Sequence, residues 1–422
     1  MPAYYSSEVT NEESTTTQVF VARQPIFENS GNVFGYELLF RSGLENFFPV
    51  GTNPDVASSQ VLHNSFLLFG IDVLIGGKRA FINLTRNLLV NEVATLFPAE
   101  NMVVELLETI EPDEEVIALC RKLKGLGYLL ALDDFVFEPK MRPLAELADI
   151  IKVDFLSTDA DQRARLIREI DSKSVRYLAE KVETQEEAEN ARKLGYSLFQ
   201  GYFFCRPKVI KGRDVPGYKL NYLQLLREAM TEDLSVEKME RIVSRDVSLA
   251  YKLLRFINSA AFGFRSRVQS IQHALVLMGV REIRKWVSLV ALTGLGKDKS
   301  EELVVGSLIR ARFCELLAPK VGLGHRSSDL FLMGMFSMID AFLDRPMEEI
   351  LSSLPLSDDI KIALSGGNNL FRKVYELTRA YEQGLWEGMS QYSASLDLNE
   401  EEVPQLYLQS VELTHQVYRS YQ

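Results

Sequence analysis

Two patterns of apolar and polar positions divide this chain. From residue 18 to residue 207, short apolar runs alternate with amphipathic stretches. The runs are 18–22, 33–40, 79–83, 102–106, 128–132, 149–153, 175–179 and 197–200. Several are apolar without alternation, as strands of a parallel sheet covered on both faces are. Helices are expected between them. In 112–124, Val116, Leu119, Cys120 and Leu123 share one face, and acidic residues fill the first turn, where they offset the helix dipole. Thr184 and Glu187 have the spacing of a capping box, and Gly195 is placed to end that helix in a left-handed conformation. Eight strands alternating mainly with helices predict an α/β fold, a compact TIM-like (β/α)8 barrel.

The pattern changes after Pro207. The stretch 208–218 holds Pro, Gly and charges and reads as a linker. Only helical periodicity follows, with helices predicted at 219–231, 246–258, 280–294, 301–318, 328–342 and 403–420. A further amphipathic helix spans 368–386, with Phe371, Tyr375 and Tyr381 as a core stripe. The expected organisation is a disordered lead-in at 1–17, a barrel at 18–207, the linker, and an all-α domain at 219–422. A chain of 422 residues is too long for one ordinary core and agrees with two.

Charge and composition narrow the function classes. A net charge of −11 makes the chain a poor general binder of nucleic-acid backbones. No apolar run approaches the roughly 20 residues that span a bilayer. The N-terminus is polar and acidic, not a basic-then-apolar signal, so a cytoplasmic location is expected. Cys120, Cys205 and Cys314 are scattered singly and read as reduced core thiols. A phosphate-bearing substrate would need local cations to offset the acidic chain.

Polar residues collect at the ends of the predicted strands. Glu37 lies near the end of the second, Asn83 ends the third, and Glu105 is near the end of the fourth. Asp133 and Asp134 follow the fifth, and Lys152 is near the end of the sixth. Glu180 follows the seventh, Glu183 lies in the same loop, and Gln200 ends the eighth. Each alone would more often be a solvated surface residue, a turn residue or a salt-bridge partner. Together they converge on the mouth of a barrel, where such folds keep their active sites. Carboxylates crowded there need a cation, and all-oxygen ligands select a hard ion such as Mg²⁺ or Mn²⁺. Two such ions make a site for phosphodiester hydrolysis.

The first half resembles the EAL domain of cyclic-di-GMP phosphodiesterases. Glu37-Leu38-Leu39-Phe40-Arg41 stands for the signature Glu-Ala-Leu-Leu-Arg. RQPIF (23–27), FINLT (81–85), ELLET (105–109), ALDDF (131–135), DIIKVDF (149–155), LAEKVET (178–184) and QGYFFCRP (200–207) match further motifs in order. The resemblance implies metal ligands at Glu37, Asn83, Glu105, Asp133, Asp134 and Glu180. It implies catalytic roles for Lys152, Glu180 and Glu183, and substrate-side positions at Gln24, Arg41 and Gln200. Attack of activated water on one phosphodiester would give linear pGpG. Two departures stand out. The family continues Asp-Asp-Phe with Gly-Thr-Gly, where this chain has Val136-Phe137-Glu138. Glu108, whose counterpart steadies that loop, is kept, but Leu107 replaces a Thr, and Ser42 stands where a Trp is common.

The second half resembles the HDOD domain, a relative of HD-type metal phosphohydrolases. The match is clearest over 246–286, through Asn258-Ser259-Ala260, Phe262-Gly263, Ser270-Ile271, Ala274, Leu277 and Gly279. The histidines that HD-type metal sites use are missing. Ser337-Met338 stands where the His-Asp pair would be, Asp340 has no neighbouring His, and only His63, His273, His325 and His415 occur in the chain. His273 reads as a core or boundary residue. No metal is expected in this half, which reads as a regulatory or interaction module for an unknown protein partner. The resemblance also implies a homodimer through the barrel. Three readings stay open: an active phosphodiesterase, a silent cyclic-di-GMP receptor, and a scaffold.

Overall fold

The computed structural model describes residues 19–42, 71–170, 174–205, 217–231, 234–244, 246–258 and 267–419. The apolar runs become β1 (Val19–Glu28), β2 (Val33–Ser42), β3 (Arg79–Leu84), β4 (Met102–Leu106), β5 (Leu129–Leu132), β6 (Ile150–Asp154), β7 (Arg176–Glu180) and β8 (Leu198–Gln200). They close into one barrel in chain order. β2 to β8 are parallel, but β1 is antiparallel to both β2 and β8. This departs from a regular (β/α)8 barrel for a physical reason. A parallel crossover needs about a dozen residues, and the gap between β1 and β2 closes as a tight turn, with Glu28 N–H donating to Asn32 O at 2.9 Å.

Residues two apart along a strand share a face. Ile26, Phe81, Val103, Ala131, Ile150, Leu178 and Leu198 form one apolar layer inside the barrel. Their outward neighbours Ile82, Val104, Leu132, Ile151, Ala179 and Phe199 pack under the surrounding helices. One step further toward the mouth on the inner face come Asn83, Glu105, Asp133, Lys152, Glu180 and Gln200. β1 runs the other way, so its mouth-side residue is two positions earlier. That residue is Gln24, and it pairs with Glu37 of β2. Gly35, two before Glu37, makes room for the apolar layer: a Cβ there would meet Arg79 O at 2.7 Å and the Phe81 ring at 3.0 Å.

The helices around the barrel use the expected caps. The Asp113 side chain accepts from Val116 N–H at the start of Glu114–Gly125. Thr184 and Glu187 form the capping box of Gln185–Leu194, which ends at Gly195 with φ 104°.

From Gly217 onward the described residues are helical. The helix Glu301–Leu317 is buried on most sides and packs against Ser327–Phe336 and Val403–Arg419. Three expectations change. The stretch 328–342 breaks after Phe336 and resumes at Ile339. The helix in 368–386 runs only from Leu370 to Glu382, although Phe371, Tyr375 and Tyr381 are buried as expected. His273 is exposed, not core, because it sits in the first turn after Ser270, whose Oγ accepts its N–H at 3.1 Å. Cys120 and Cys314 are buried free thiols, while the Cys205 side chain lies outside the described residues. Among the described residues, no helix is long and apolar enough to cross a membrane.

The two halves share core. Phe20 and Ala22 of β1 belong to the apolar cluster of the helical half, and Leu408 of the last helix belongs to that of the barrel. A polar knot ties them. The Arg23 guanidinium donates to Leu74 O at 2.7 Å, lies 3.4 Å from Glu302 Oε1, and stacks 4.3 Å from the Tyr36 ring centroid. Tyr36 O–H donates to Glu302 Oε2 at 2.7 Å. Arg23 and Glu302 are both buried, so removing one strands the other's charge. Glu302→Ala is expected to lower stability in urea denaturation by about 3–5 kcal/mol. Arg23→Met with Glu302→Leu is expected to cost less, since no charge is left unpaired.

Candidate active site in the barrel mouth

The polar layer above the apolar one is organised by Lys152. Its Nζ lies 2.7 Å from Asp133 Oδ1, 2.8 Å from Glu180 Oε1 and 3.5 Å from Glu37 Oε1, and it also contacts Glu105 Oε1. Glu37 is held on both oxygens. Asn83 Nδ2 donates to Oε1 at 3.2 Å, and Gln200 Nε2 donates to Oε2 at 2.6 Å. Gln200 Nε2 also donates to Gln24 Oε1 at 3.0 Å. The exit of β8 from this layer requires a glycine. Gly201 has φ 143°, and a Cβ on it would come within 2.1 Å of Val182 O.

One ammonium here faces four carboxylates. Burial opposes the charge of Lys152, but Glu105, Glu37, Glu180 and Asp133 outweigh burial and hold its ammonium well above the ordinary range. Burial pushes the Glu105 carboxyl well up and the Glu180 carboxyl up to about 8. The layer is therefore short of positive charge, and Glu105 and Glu180 hold their protons more tightly than free carboxyls do. Oxygens are also left over. Asn83 Oδ1, Glu105 Oε2 and Gln200 Oε1 are buried without a hydrogen-bond partner. Carboxylate oxygens of Asp133, Asp134 and Glu180 lie within 4.8 Å of one another. Spare buried oxygens beside excess negative charge fit a hard divalent cation, which would satisfy both.

Most sequence-selected residues meet here. Gln24, Glu37, Asp133, Asp134, Lys152, Glu180, Glu183 and Gln200 line one cavity of about 710 Å³, and Asn83 and Glu105 contact its lining residues Glu37 and Lys152. Glu183 is an exposed residue at the rim. Glu108 is exposed in the turn after β4 and is not among the cavity's lining residues. The side chains of Arg41 and Ser42 lie outside the described residues. In the loop after β5, Asp134 takes the left-handed φ of 40°, and Phe135 is buried with its N–H donating to Lys152 O at 3.0 Å. The glycine-free loop thus folds back onto β6 through an aromatic anchor.

The sequence reading missed the outer wall. Arg310, Ser337, Met338, Asp340, Tyr375, Arg379, Gln383 and Leu385 of the helical half line the same cavity. Gln24 Nε2 donates across it to Gln383 O at 3.1 Å. Ser337, Met338 and Asp340 stood out beforehand only as the place where an HD-type metal pair is missing, and the aromatic stripe on the Tyr375 helix resembled ordinary core. Burial pushes the Asp340 carboxyl up to about 6. Because this is above the usual value near 4, the folded state binds that proton more tightly than the unfolded one. The resulting stabilisation is complete below about pH 4 and is lost as pH rises through about 6. Asp340→Asn is expected to raise stability at pH 8 by about 2–3 kcal/mol and to leave it nearly unchanged at pH 4, as read by urea denaturation at the two pH values.

Comparison with known proteins supplies the family. The EAL domain model matches residues 77–207, and the HDOD domain model matches residues 216–343. The uncharacterized protein YuxH of Bacillus subtilis is 38% identical over 406 residues, covering 94% of this chain and 98% of that protein. Cyclic di-GMP phosphodiesterase CdgJ of Vibrio cholerae is 36% identical over 395 residues, covering 93% of this chain and 91% of that protein. The Klebsiella pneumoniae BlrP1 calcium/cy-diGMP complex aligns over 45% of this chain and 56% of that one, at 25% identity and a TM-score of 0.36. With both domain models matched in this order and two relatives aligned along nearly their whole length, the chain belongs to the family in which an EAL domain is followed by an HDOD domain.

Proposed function

We propose that this protein is a cyclic-di-GMP phosphodiesterase that opens the cyclic dinucleotide to linear pGpG, with the HDOD half as a regulatory module that does no chemistry. The observation that carries the reading is the polar layer around Lys152, with its surplus of carboxylates and its unpaired buried oxygens. The name of the Vibrio relative supports the substrate.

Glu37, Asn83, Glu105 and Asp133 are the residues to hold one divalent cation, Mg²⁺ or Mn²⁺, and Asp133, Asp134 and Glu180 to hold a second. Such cations supply Lewis-acid polarisation of a phosphodiester and acidify water. The chain's own groups do the rest. Lys152 donates to oxygen at the reacting phosphate and offsets its charge. Glu180, with Glu183 beside it at the rim, takes the proton of the attacking water. The water oxygen bonds to phosphorus as the bond to the ribose 3′ oxygen breaks; that oxygen takes a proton from solvent and leaves as the 3′ hydroxyl, Glu180 returns the proton it took to solvent, and one new 5′ phosphate results. Gln24, Arg41 and Gln200 are the substrate-side groups of the barrel. A cytoplasmic location, a protein partner for the helical half and pairing of two barrels belong to the same proposal.

The rebuilt loop favours one second reading. Val136-Phe137-Glu138, just after Asp133, Asp134 and the retained Phe135, replace a glycine-rich segment of the family. A site that binds the dinucleotide without turning it over would be a receptor. Incubation with cyclic-di-GMP and Mn²⁺, followed by chromatography, is expected to yield pGpG. Glu37→Ala and Asp133→Asn are expected to lower the rate by at least about 100-fold, the scale on which removing a charge-stabilising catalytic group acts. Metal analysis of the whole chain is expected to find two ions, fewer in Asp133→Asn, with the unfolding transition little changed. Micromolar binding without product would establish the receptor reading, and neither binding nor product would leave the scaffold.

A further inference from the structure

We propose that the helical half, beyond its HDOD match, supplies a substrate-binding residue to the barrel's active site: Arg379 clamps the phosphate of the cyclic dinucleotide that is not being cleaved. This deepens the phosphodiesterase reading and rests on it.

The substrate carries two phosphates across a macrocycle. When one sits on the carboxylate floor of the barrel, the other is directed out toward the opposite wall. That wall is built by the helical half and is seated on the barrel rim. Gln383 O accepts from Gln24, and a Cβ on Gly384 would come within 2.7 Å of Leu39 Cδ1. The second phosphate needs a cation there, because the floor offers mainly negative charge.

Among the described lining residues the cations are Lys152, Lys181, Arg310 and Arg379. Three are already engaged. Lys152 is ringed by carboxylates. Lys181 Nζ lies 2.6 Å from Asp154 Oδ2. Arg310 is buried, with Nη2 2.6 Å from Glu382 Oε2 and Nη1 donating to Ser337 Oγ at 2.9 Å. Arg379 is different. Its side chain is 38% exposed, and its contacts to Glu376 are long, at 3.3 and 3.4 Å. Glu376 is also shared with Arg372. The Arg379 guanidinium lies 5.7 Å from the Tyr375 ring centroid, and both residues line the cavity. A planar fork of donors that gives up only a weak exposed pair is suited to a phosphate.

The test measures steady-state cyclic-di-GMP hydrolysis with Mn²⁺ and, separately, cyclic-di-GMP binding by calorimetry. Arg379→Ala is expected to raise both KM and Kd by about 10–100-fold, the loss of a charge-assisted phosphate contact, with kcat changed far less. Arg379→Lys is expected to recover part of the affinity, since the charge returns without the fork. Lys373→Ala removes a charge from the same helix outside the cavity and is expected to leave KM unchanged. Wild-type turnover with an Arg379→Ala KM and Kd within twofold of wild type would overturn this inference and leave the phosphodiesterase reading standing. Equal losses in Arg379→Ala and Lys373→Ala would also overturn it, since they would point to general charge or to the helix. A wild-type protein that neither binds nor cleaves cyclic-di-GMP would overturn both.

Discussion

The ammonium of Lys152, buried among Glu37, Glu105, Asp133 and Glu180, is the interaction on which the barrel depends. Without it, four carboxylates would stand at the top of an apolar layer with no counter-charge. With it, the balance remains negative, so the mouth keeps a standing demand for cations. A protein selected for stability alone would not leave buried amide and carboxylate oxygens unpaired beside that charge. The tension at the mouth is the physical signature of a site made to bind ions and a phosphate.

That tension is tolerated because the rest of the molecule is tied down around it. The apolar layer from Ile26 to Leu198 closes the barrel beneath the charges and excludes water from below. On the outside, β1 is gripped by the helical half through Phe20, Ala22 and the buried Arg23–Glu302–Tyr36 knot. Tyr381 adds a bond of 3.2 Å to Val21 O. The strand that carries Gln24 into the mouth is therefore also the strand on which the second domain is mounted.

The reversed β1 marks the main difference between the expected and the observed barrel. Its cause was present in the chain, since the segment from Glu28 to Asn32 is too short for a crossover and rich in turn residues. The regular eightfold pattern of apolar runs outweighed it in the reading. The helical half was legible in its periodicity, yet periodicity did not register the break at Ser337-Met338 or the first-turn position that leaves His273 exposed. Glu108, read as a support for the loop after β5, is exposed in the turn after β4, while Phe135 of that loop is buried.

Strand alternation settles much of the site before any folding is considered. If Phe81, Val103, Ile150 and Leu178 face inward, then Asn83, Glu105, Lys152 and Glu180 must also face inward, one layer nearer the mouth, because side chains repeat every second residue. Local order along the chain was enough for the floor of the active site and its chemistry. The opposite wall was not accessible in this way. Arg379, Tyr375 and Asp340 reach the cavity only because a shared core brings positions more than a hundred residues beyond the barrel back to its rim. No local period encodes such a meeting. It is decided by how two apolar surfaces bury one another, which is a property of the assembled molecule.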